Sequence, residues 1–478
     1  MNIKSILNIL GNLLMLVAVS MLLPVIVGIF YREMDSLIFV VTSGITFGFS
    51  ILLKKFEYEP SGLQYRDGFV VVTLGWFLVS AFGSLPFLLS GVFNHPVDAF
   101  FESVSGFTTT GATVIMSLES ISYTILFWRS LTHWLGGMGI ILMTLAILPQ
   151  LAGNMHLFKA EVPGPVHNRI KPRIQETAKV LWYVYILLTG AQILLLVFSG
   201  LPFFEAVIHS FGTISTGGFS SRTLSVRAYN YIRVDIIIIV FMYIAGINFN
   251  LIYDFFHGKP RNLFKNEEFQ LYTLIILFSI ILIVVNISMN VYDDILSALR
   301  YAAFQVVSVS TTTGFASVDY DTWPPFSRWI LLILMFIGGS AGSTAGGIKV
   351  IRIKLLLKKG IQELYRLLHP RAVKKVKINK RVVSEKITTS ILGFFFLYIT
   401  VFVFVTLILT YFGIDILSSI SAVAATLGNV GPGLELVGPL NSYISFPESA
   451  KFLLIICMMM GRLEIYTILV FVFMDWKQ

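Results

Sequence analysis

The sequence has little charge and a single cysteine for a chain of 478 residues. Charged residues make up 13% of it and hydrophobic residues 56%, whereas about a quarter of the residues of a typical soluble protein are charged. An ordinary soluble globular protein is therefore excluded. A disulfide framework within the chain is excluded as well, because Cys457 has no second cysteine to pair with. Its place in an apolar run predicts a buried small hydrophobic residue.

The sequence also lacks common enzyme motifs. It contains neither an HExxH zinc motif nor a CxxC pair. The glycine-rich stretch 338–352 superficially resembles a phosphate-binding loop, but the Walker pattern requires Gly-Lys followed by Ser or Thr. Here Gly347 is followed by Ile348 and Lys349. We therefore predict that the chain is not an enzyme and that it binds no organic cofactor.

Long apolar runs are abundant. About 20 consecutive apolar residues cross a bilayer as a helix, and ten runs are of about this length. The first run is longer than the core of a signal peptide, about 7–15 residues, and no small-residue cleavage site follows it, so we predict a spanning helix there. The runs cover residues 9–30, 36–53, 68–91, 123–148, 180–199, 234–255, 269–291, 325–353, 387–412 and 450–474.

A loop rich in glycine, threonine and serine separates the two runs of each of the last four pairs. These glycine loops 1 to 4 read FTTTGAT (107–113), ISTGGFS (214–220), STTTGFAS (310–317) and LGNVGPG (427–433). Ion filters are rings of backbone carbonyls from several loops, and glycine permits the backbone angles that such a ring needs. The loops contain no carboxylate in their cores, which favours a monovalent cation over Ca²⁺. Packing of helices through small residues is the alternative, but four matched loops favour a pore.

The residues before each glycine loop form an apolar stretch too short to span a membrane. The stretches are 98–107, 203–212, 295–310 and 416–428. Each fits a half-length helix that dips into the membrane and points its C-terminal dipole at a cation. We therefore divide the chain into an N-terminal helix pair and four repeats, covering residues 1–60, 61–150, 151–260, 261–360 and 361–478.

The basic residues predict orientation in the membrane and not binding to nucleic acid. The net charge is +9, and most of the excess lies in residues 352–386. Because basic loops stay in the cytoplasm, we expect a multi-pass protein with both termini inside and glycine loops that enter from outside. Anionic lipid, a cytosolic partner and plain solvation remain open as roles of residues 352–386.

Two features lie on the inner side of the predicted pore. Dense glycine and serine in 338–352 interrupt the last run of repeat three, which predicts a movable constriction; close helix packing is the alternative. Arg462 lies near the middle of the last run, where an unpaired charge is unfavourable, so it faces protein or water. Two roles of Arg462 remain open: a positive charge beside the pore, or one partner of a structural ion pair with another helix. Glu464 is two positions away, on another helix face, and is not expected to bond Arg462.

Other polar residues in the runs receive structural interpretations. Trp128, Arg129 and Trp134 are typical of an interfacial belt with a basic anchor. His133 and His209 are interpreted as hydrogen-bonded packing residues and not as ligands.

These residues and motifs together resemble the Trk/Ktr/HKT superfamily of potassium transporters, of the TrkH/TrkG type. Besides the four glycine loops, the resemblance includes segments 127–140, 160–165, 171–174, the glycine-rich break and GRLEIYT at 461–467. Each motif is weak alone, but their order is specific. The two additional N-terminal helices favour the TrkH/TrkG type.

The resemblance implies an all-α membrane protein in which four M1–pore loop–M2 repeats surround one pseudo-fourfold pore, with two N-terminal transmembrane helices. It implies a K⁺ filter at Thr109, Thr110, Gly111, Ser215, Thr216, Gly217, Thr312, Thr313, Gly314, Asn429, Val430 and Gly431, with Gly433 as the alternative register of loop 4. It implies a gate at Gly338, Gly339, Gly342, Gly346 and Gly347, with Arg462 projecting toward the pore.

The implied function is inward conduction of K⁺, the transported ion, as the pore-forming subunit of a potassium uptake system. The resemblance also implies a homodimer in a bacterial or archaeal cell (inner) membrane, with a cytosolic TrkA-like nucleotide-binding subunit. A K⁺ symporter coupled to Na⁺ or H⁺ is the main alternative, and a non-conducting membrane scaffold is a third.

Overall fold

The computed structural model describes residues 1–56, 65–139, 174–371 and 375–473. In these ranges the chain is helical apart from loops and one antiparallel hairpin, in which Lys377–Ile378 pairs with Arg381–Val382. The predicted all-α class is confirmed. Segment 160–165 and residues 171–173 of the resemblance lie outside the described residues, as do the predicted boundaries near residues 60 and 150.

The N-terminal helices form the predicted pair. The first arm runs through Ile3–Ser20 and Leu22–Tyr31 and returns as Asp35–Lys54 after a left-handed turn at Arg32. Two hydroxyls join the arms: Ser43 donates to the carbonyl of Ala18, and Ser50 to that of Gly11. Such bonds, with small residues that let backbones approach, hold helices together in a lipid environment.

Each repeat consists of a long helix, a half helix, a glycine loop and a return helix. Long helices 1 to 4 are Tyr65–Gly83, Ile174–Phe198, Glu267–Asn290 and Glu385–Tyr411. Half helices 1 to 4 are Pro96–Phe107, Phe203–Ile214, Ile295–Ser310 and Ile416–Leu427, and return helices 1 to 4 are Tyr123–Gly137, Ile232–Ala245, Pro325–Phe336 and Glu448–Leu463. Shorter helices are Leu85–Leu89, Phe249–Phe256, Pro260–Phe264, Val350–Leu368 and Ile465–Phe473.

The return helices differ from the prediction of ten full-length spans. Six helices of the described residues are long and apolar enough to cross a membrane, or eight if each bent pair counts as one. Return helix 2 bends by 106° into Phe249–Phe256, and return helix 4 bends by 113° into Ile465–Phe473. Return helix 3 ends at the glycine-rich break, as expected. Hydropathy could not reveal these bends, because both arms of each bend are apolar.

The outer surfaces of the long helices are apolar and exposed, as a lipid-facing surface requires. Leu274 and Phe396, for example, are 62% and 70% exposed.

The domain boundary predicted at residue 360 falls inside the helix Val350–Leu368, so the boundary between repeats three and four fits better in the segment after that helix.

The predicted interfacial belt on return helix 1 is wrong. Trp128 and Arg129 are buried, and Trp134 packs against the rings of Trp182 and Tyr185. Their polar atoms have protein partners, since the Trp128 indole donates to the carbonyl of Gly83 at 3.0 Å. Sequence could not show this, because belt residues and buried, bonded ones have the same composition. Cys457 is buried, as predicted.

Candidate functional site

The four glycine loops share one backbone conformation at the ends of the half helices. In each loop, the residue that directly follows the C-cap of the half helix has a left-handed backbone conformation. Two positions further along, a glycine also has a positive φ. The first set is Thr109, Thr216, Thr312 and Asn429, with φ of 53°, 55°, 57° and 54°. The second set is Gly111, Gly218, Gly314 and Gly431, with φ of 81°, 78°, 78° and 96°. Left-handed threonine is strained, and such strain concentrates at functional sites.

The residue between these two reaches back into the half helix in every loop. Its amide donates to the carbonyl five residues earlier, a bond typical of a helix that ends in a left-handed turn. The four bonds are Thr110 to Ser105, Gly217 to Gly212, Thr313 to Ser308 and Val430 to Ala425, at 2.9, 2.8, 2.8 and 2.8 Å.

The structure corrects the alignment of loop 2. The residue equivalent to Gly111 is Gly218 and not Gly217, and Ser215 is the helix cap, equivalent to Thr108. The sequence could not decide this, because two glycines are adjacent there and either can adopt a positive φ. In loop 4 the residue equivalent to Gly111 is Gly431. This is the register predicted first from the sequence, with Gly433 as its alternative.

The four loops close a ring in chain order. A Cβ added to Gly111 would lie against the carbonyl oxygen of Gly217. The same relation joins Gly218 to Thr313, Gly314 to Val430, and Gly431 back to Thr110, always within 2.5 Å. A side chain therefore fits at none of the four glycines. The ring brings one carbonyl oxygen from each loop next to the neighbouring loop.

Side chains reinforce the ring on its inner side. The hydroxyls of Thr108 and Thr110 lie 2.8 Å apart, as do those of Thr311 and Thr313. The Asn429 amide closes the seam between loops 4 and 1 by donating to Thr110 Oγ1 at 2.9 Å. The ring is thus held by side-chain bonds as well as by backbone packing.

Histidines pack behind the ring, as predicted. Nδ1 of His133 lies 2.6 Å from the carbonyl oxygen of Gly106, and the His133 ring stacks on the ring of Phe219. His209 Nε2 lies 3.1 Å from Ser220 Oγ. Both side chains are fully buried, and in the described part of the chain no group of three or more His, Cys, Asp or Glu residues could hold a metal ion.

The glycine-rich segment 338–347 forms a closed loop directly beneath the ring. Its two ends are joined because Gly338 donates to the carbonyl of Ile348 and Ile348 to that of Phe336, at 3.0 and 3.1 Å. Its far side contacts repeat two, where Ser340 donates to the carbonyl of Gly246 at 2.9 Å. Its upper side contacts the ring, where a Cβ on Gly346 would lie 2.7 Å from the carbonyl oxygen of Gly428.

The letters Gly-Gly-Ser-Ala-Gly at 338–342 also match the GxSxG pattern of serine hydrolases. That pattern acts through a serine at a strand-to-helix turn, activated by a histidine. Ser340 Oγ is buried and has no hydrogen-bond partner among the described residues, and it follows a helix and not a strand. The surroundings of Ser340 therefore do not support a role as a nucleophile.

Arg462 connects three repeats below the ring. Its guanidinium donates to the carbonyl of Thr344 in the glycine-rich segment at 2.8 Å, and to those of Gly136 and Gly137 at the end of return helix 1 at 2.6 and 2.9 Å. The neighbouring Glu464 binds Arg352, with both carboxylate oxygens at 2.6 Å. Arg462 thus crosses from repeat four to the glycine-rich segment and to repeat one.

Three charged residues near the site were missed by sequence reasoning. Glu268 and Lys349 both bind the glycine-rich segment, and Glu102 binds loop 1. An acidic residue inside an apolar stretch is a usable signal for Glu102, since such a group is rarely buried without a partner. The partners themselves come from distant parts of the chain and carry no local signal.

Comparisons with known proteins agree with this architecture. The family described as TrkH, cation transport protein, matches residues 38–477. The chain is 42% identical to the Trk system potassium uptake protein TrkH of Salmonella typhimurium, over 98% of both chains, and 35% identical to TrkG of Escherichia coli, over 96% of both. The crystal structure of the potassium transporter TrkH from Vibrio parahaemolyticus superposes with a TM-score of 0.91 at 38% identity and covers 100% of both chains.

Proposed function

Because this chain belongs to the TrkH family of cation transport proteins, we propose that it is the pore-forming subunit of a potassium uptake system and conducts K⁺ inward. The observation that carries this proposal is the closed ring of the four glycine loops, in which each loop places a carbonyl oxygen beside the glycine of the preceding loop. A single chain thereby supplies all four sides of a carbonyl filter.

The ring has the chemistry of a site for a monovalent cation. K⁺ exchanges its hydration shell for backbone carbonyls and threonine hydroxyls, and the ring itself includes no carboxylate that would favour a divalent ion. The C-terminal ends of four half helices point at the same place, which adds a negative potential. Inward movement follows the membrane potential, worth about 2.3 kcal/mol per charge for each 100 mV.

Segment 338–347 and Arg462 act as the gate in this proposal. The segment lies beneath the ring, and the Arg462 guanidinium adds a positive charge that opposes a passing cation. Three hydrogen bonds to carbonyls hold this arginine across the path. In this proposal the pore is closed while Arg462 makes these bonds, and opening requires the bonds to break. Shortening the segment by two glycines should raise leak flux.

The ring favours channel-like conduction over symport. A symporter needs a second ion site whose occupancy is coupled to the first, and proton relays use buried acidic residues. In the described ring the ligands are neutral oxygens. The alternative predicts that K⁺ flux depends steeply on a Na⁺ or H⁺ gradient.

We further propose the partners and location that the family suggests. The chain functions as a homodimer in a bacterial or archaeal inner membrane, with both termini in the cytoplasm. A cytosolic TrkA-like subunit regulates it and binds the nucleotide. The exposed basic residues Arg366, near the end of the helix Val350–Leu368, and Lys377, Lys380 and Arg381, in the following hairpin, support the cytoplasmic placement.

Tracer flux tests this proposal directly. The purified chain in proteoliposomes, with a membrane voltage and no other ion gradient, should take up Rb⁺, and external K⁺ should compete far better than Na⁺ or Li⁺. Uptake that begins only after a Na⁺ or H⁺ gradient is imposed would favour the symporter. If no condition gives uptake, the regulatory subunit is added before the pore assignment is abandoned.

A further inference from the structure

A buried ion pair lies behind the outer side of the ring. Glu102 of half helix 1 and Arg129 of return helix 1 are joined at 2.5 Å between Oε1 and Nε, and their side chains are 0% and 3% exposed. Burying two charges is so unfavourable that their attraction often does no more than offset it. Stability alone is therefore a poor explanation for the pair, and its other contacts indicate what it does.

The two partners hold different glycine loops. Glu102 accepts from the hydroxyl of Thr113, the last residue of loop 1, at 2.9 Å and from the amide of the next residue, Val114, at 3.0 Å. Arg129 donates to the carbonyl of Ser220, at the end of loop 2, at 2.9 Å. Its guanidinium also lies 3.5 Å above the ring centre of Phe219 in loop 2. The ion pair thus ties loop 1 to loop 2.

Among the described residues, no ion pair is formed at the equivalent position of the other three half helices. The position nine residues before the positive-φ glycine is Glu102 in repeat one, and the equivalent positions are His209, Gln305 and Ala422. His209 and Gln305 reach hydroxyls of their own loops, Ser220 and Ser317. None of the three takes part in an ion pair within the described chain. The seam between loops 1 and 2 is therefore built differently.

We propose that Glu102 and Arg129 are positioning residues for K⁺ selectivity. The pair fixes the spacing between loops 1 and 2, and so the approach of the Gly217 carbonyl to Gly111. Without it the two loops can separate, which widens the ring on one side and admits an ion with another preferred coordination distance. This inference rests on the proposed function, since it presupposes that the ring selects K⁺.

A matched control pair exists in the same half helix. Asp98 binds Lys451 of return helix 4 at 2.7 Å, and the two side chains are 7% and 5% exposed. This second pair is similarly buried, but its hydrogen bond joins two helices and no glycine loop. Removing both charges of either pair leaves no unpaired buried charge, so neither double variant carries the large penalty of a half-broken buried ion pair.

The experiment compares Glu102→Leu/Arg129→Met with Asp98→Leu/Lys451→Met in Rb⁺ uptake by proteoliposomes. The wild-type chain is measured first, and failure of K⁺ to outcompete Na⁺ there rejects the proposed function itself. With a selective wild type, the first variant should lose at least tenfold of the K⁺ over Na⁺ preference, and the second should keep it. A monodisperse first variant with wild-type selectivity overturns the inference, as does an equal loss in both.

A milder variant covers the case in which the first double variant does not fold. Glu102→Asp keeps the charge but shortens the side chain by one methylene, so it cannot reach Arg129 and Val114 together without moving loop 1. Its K⁺ over Na⁺ preference should fall, while Asp98→Glu in the control pair should leave the preference unchanged. Wild-type selectivity in Glu102→Asp would contradict the positioning role.

Discussion

The backbone amide of Gly346 donates a 2.7 Å hydrogen bond to Oγ1 of Thr312. Thr312 is one of the left-handed residues on the inner side of the ring, and Gly346 lies in the glycine-rich segment. The segment therefore touches the ring itself, and a movement of one must change the contacts of the other. In the proposed mechanism, gate and filter share this bond, so an open gate changes the contacts of Thr312 in the filter.

Replacing a ring glycine should damage selectivity. In Gly111→Ala the new Cβ would collide with the carbonyl oxygen of Gly217, and alanine disfavours the φ of 81°. We expect the K⁺ over Na⁺ preference to fall about tenfold or more, equal to about 1.4 kcal/mol, in competition assays of Rb⁺ uptake. Gly190→Ala in long helix 2 is the control, because its added Cβ meets nothing within 4 Å; if both variants remain selective, Gly111 is not part of the filter.

Removing the charge of Arg462 should open the pore. Arg462→Gln loses the positive charge and cannot span from Thr344 to both Gly136 and Gly137. We expect voltage-driven Rb⁺ uptake to rise severalfold, since both the electrostatic barrier and the bridge are weakened. Arg366→Gln serves as the control, because this side chain is 69% exposed. Unchanged or lower uptake in a folded Arg462→Gln would exclude a barrier role.

Glu268 should hold the glycine-rich segment closed. One of its carboxylate oxygens accepts from the amide of Ala341, inside the segment, at 2.7 Å and from the amide of Ile351, just after the segment, at 3.2 Å. Glu268→Ala leaves the half-buried amide of Ala341 and the buried amide of Ile351 without this acceptor, which should lower the free energy of unfolding by about 1–3 kcal/mol and raise leak uptake.

The variant Glu268→Gln distinguishes the contribution of the two hydrogen bonds from that of the negative charge. Glutamine keeps one acceptor oxygen at the same place, so leak and thermal stability should stay near wild type. Thermal unfolding in detergent and Rb⁺ efflux measure the two effects. A leak in Glu268→Gln as large as in Glu268→Ala would show that charge, and not the two hydrogen bonds, restrains the segment.

The stability of the outer loops should depend on pH through Asp321. Burial raises the pKa of this carboxyl to about 6 from its ordinary value of 3.8, and the negative charges of Asp319 and Glu435 add to the rise. A hydrogen bond from the backbone amide of Glu435 and the positive charge of Arg328 oppose it. The folded state therefore binds this proton more tightly than the unfolded chain, so its stability increases as pH falls from about 6 toward 4.

Thermal unfolding between pH 7 and 5 checks this dependence against the variant Asp321→Asn. The wild-type transition should shift upward relative to the variant as pH falls, because asparagine takes up no proton. Parallel curves for the two proteins across this range would mean that Asp321 does not titrate in it.

The sequence alone determined the membrane class, the four repeats and the place of the four glycine loops. These follow from local properties: a run of apolar residues that crosses lipid is stable there as a helix, and a cluster of glycine and small or polar residues between two such runs marks a loop. Loops 1 and 3 could even be aligned residue by residue, since each has one glycine after three threonines.

Only the tertiary structure decided which glycine of loop 2 is equivalent to Gly111, where return helices 2 and 4 bend, and what the buried charges bind. Gly217 and Gly218 are equally permissive, so the choice depends on the carbonyl of Thr313 in the next repeat. Arg129, which resembles a surface anchor in sequence, is buried because Glu102 and Ser220 satisfy its donors. Contacts between residues dozens to hundreds of positions apart depend on the closure of the ring, and no local pattern encodes them.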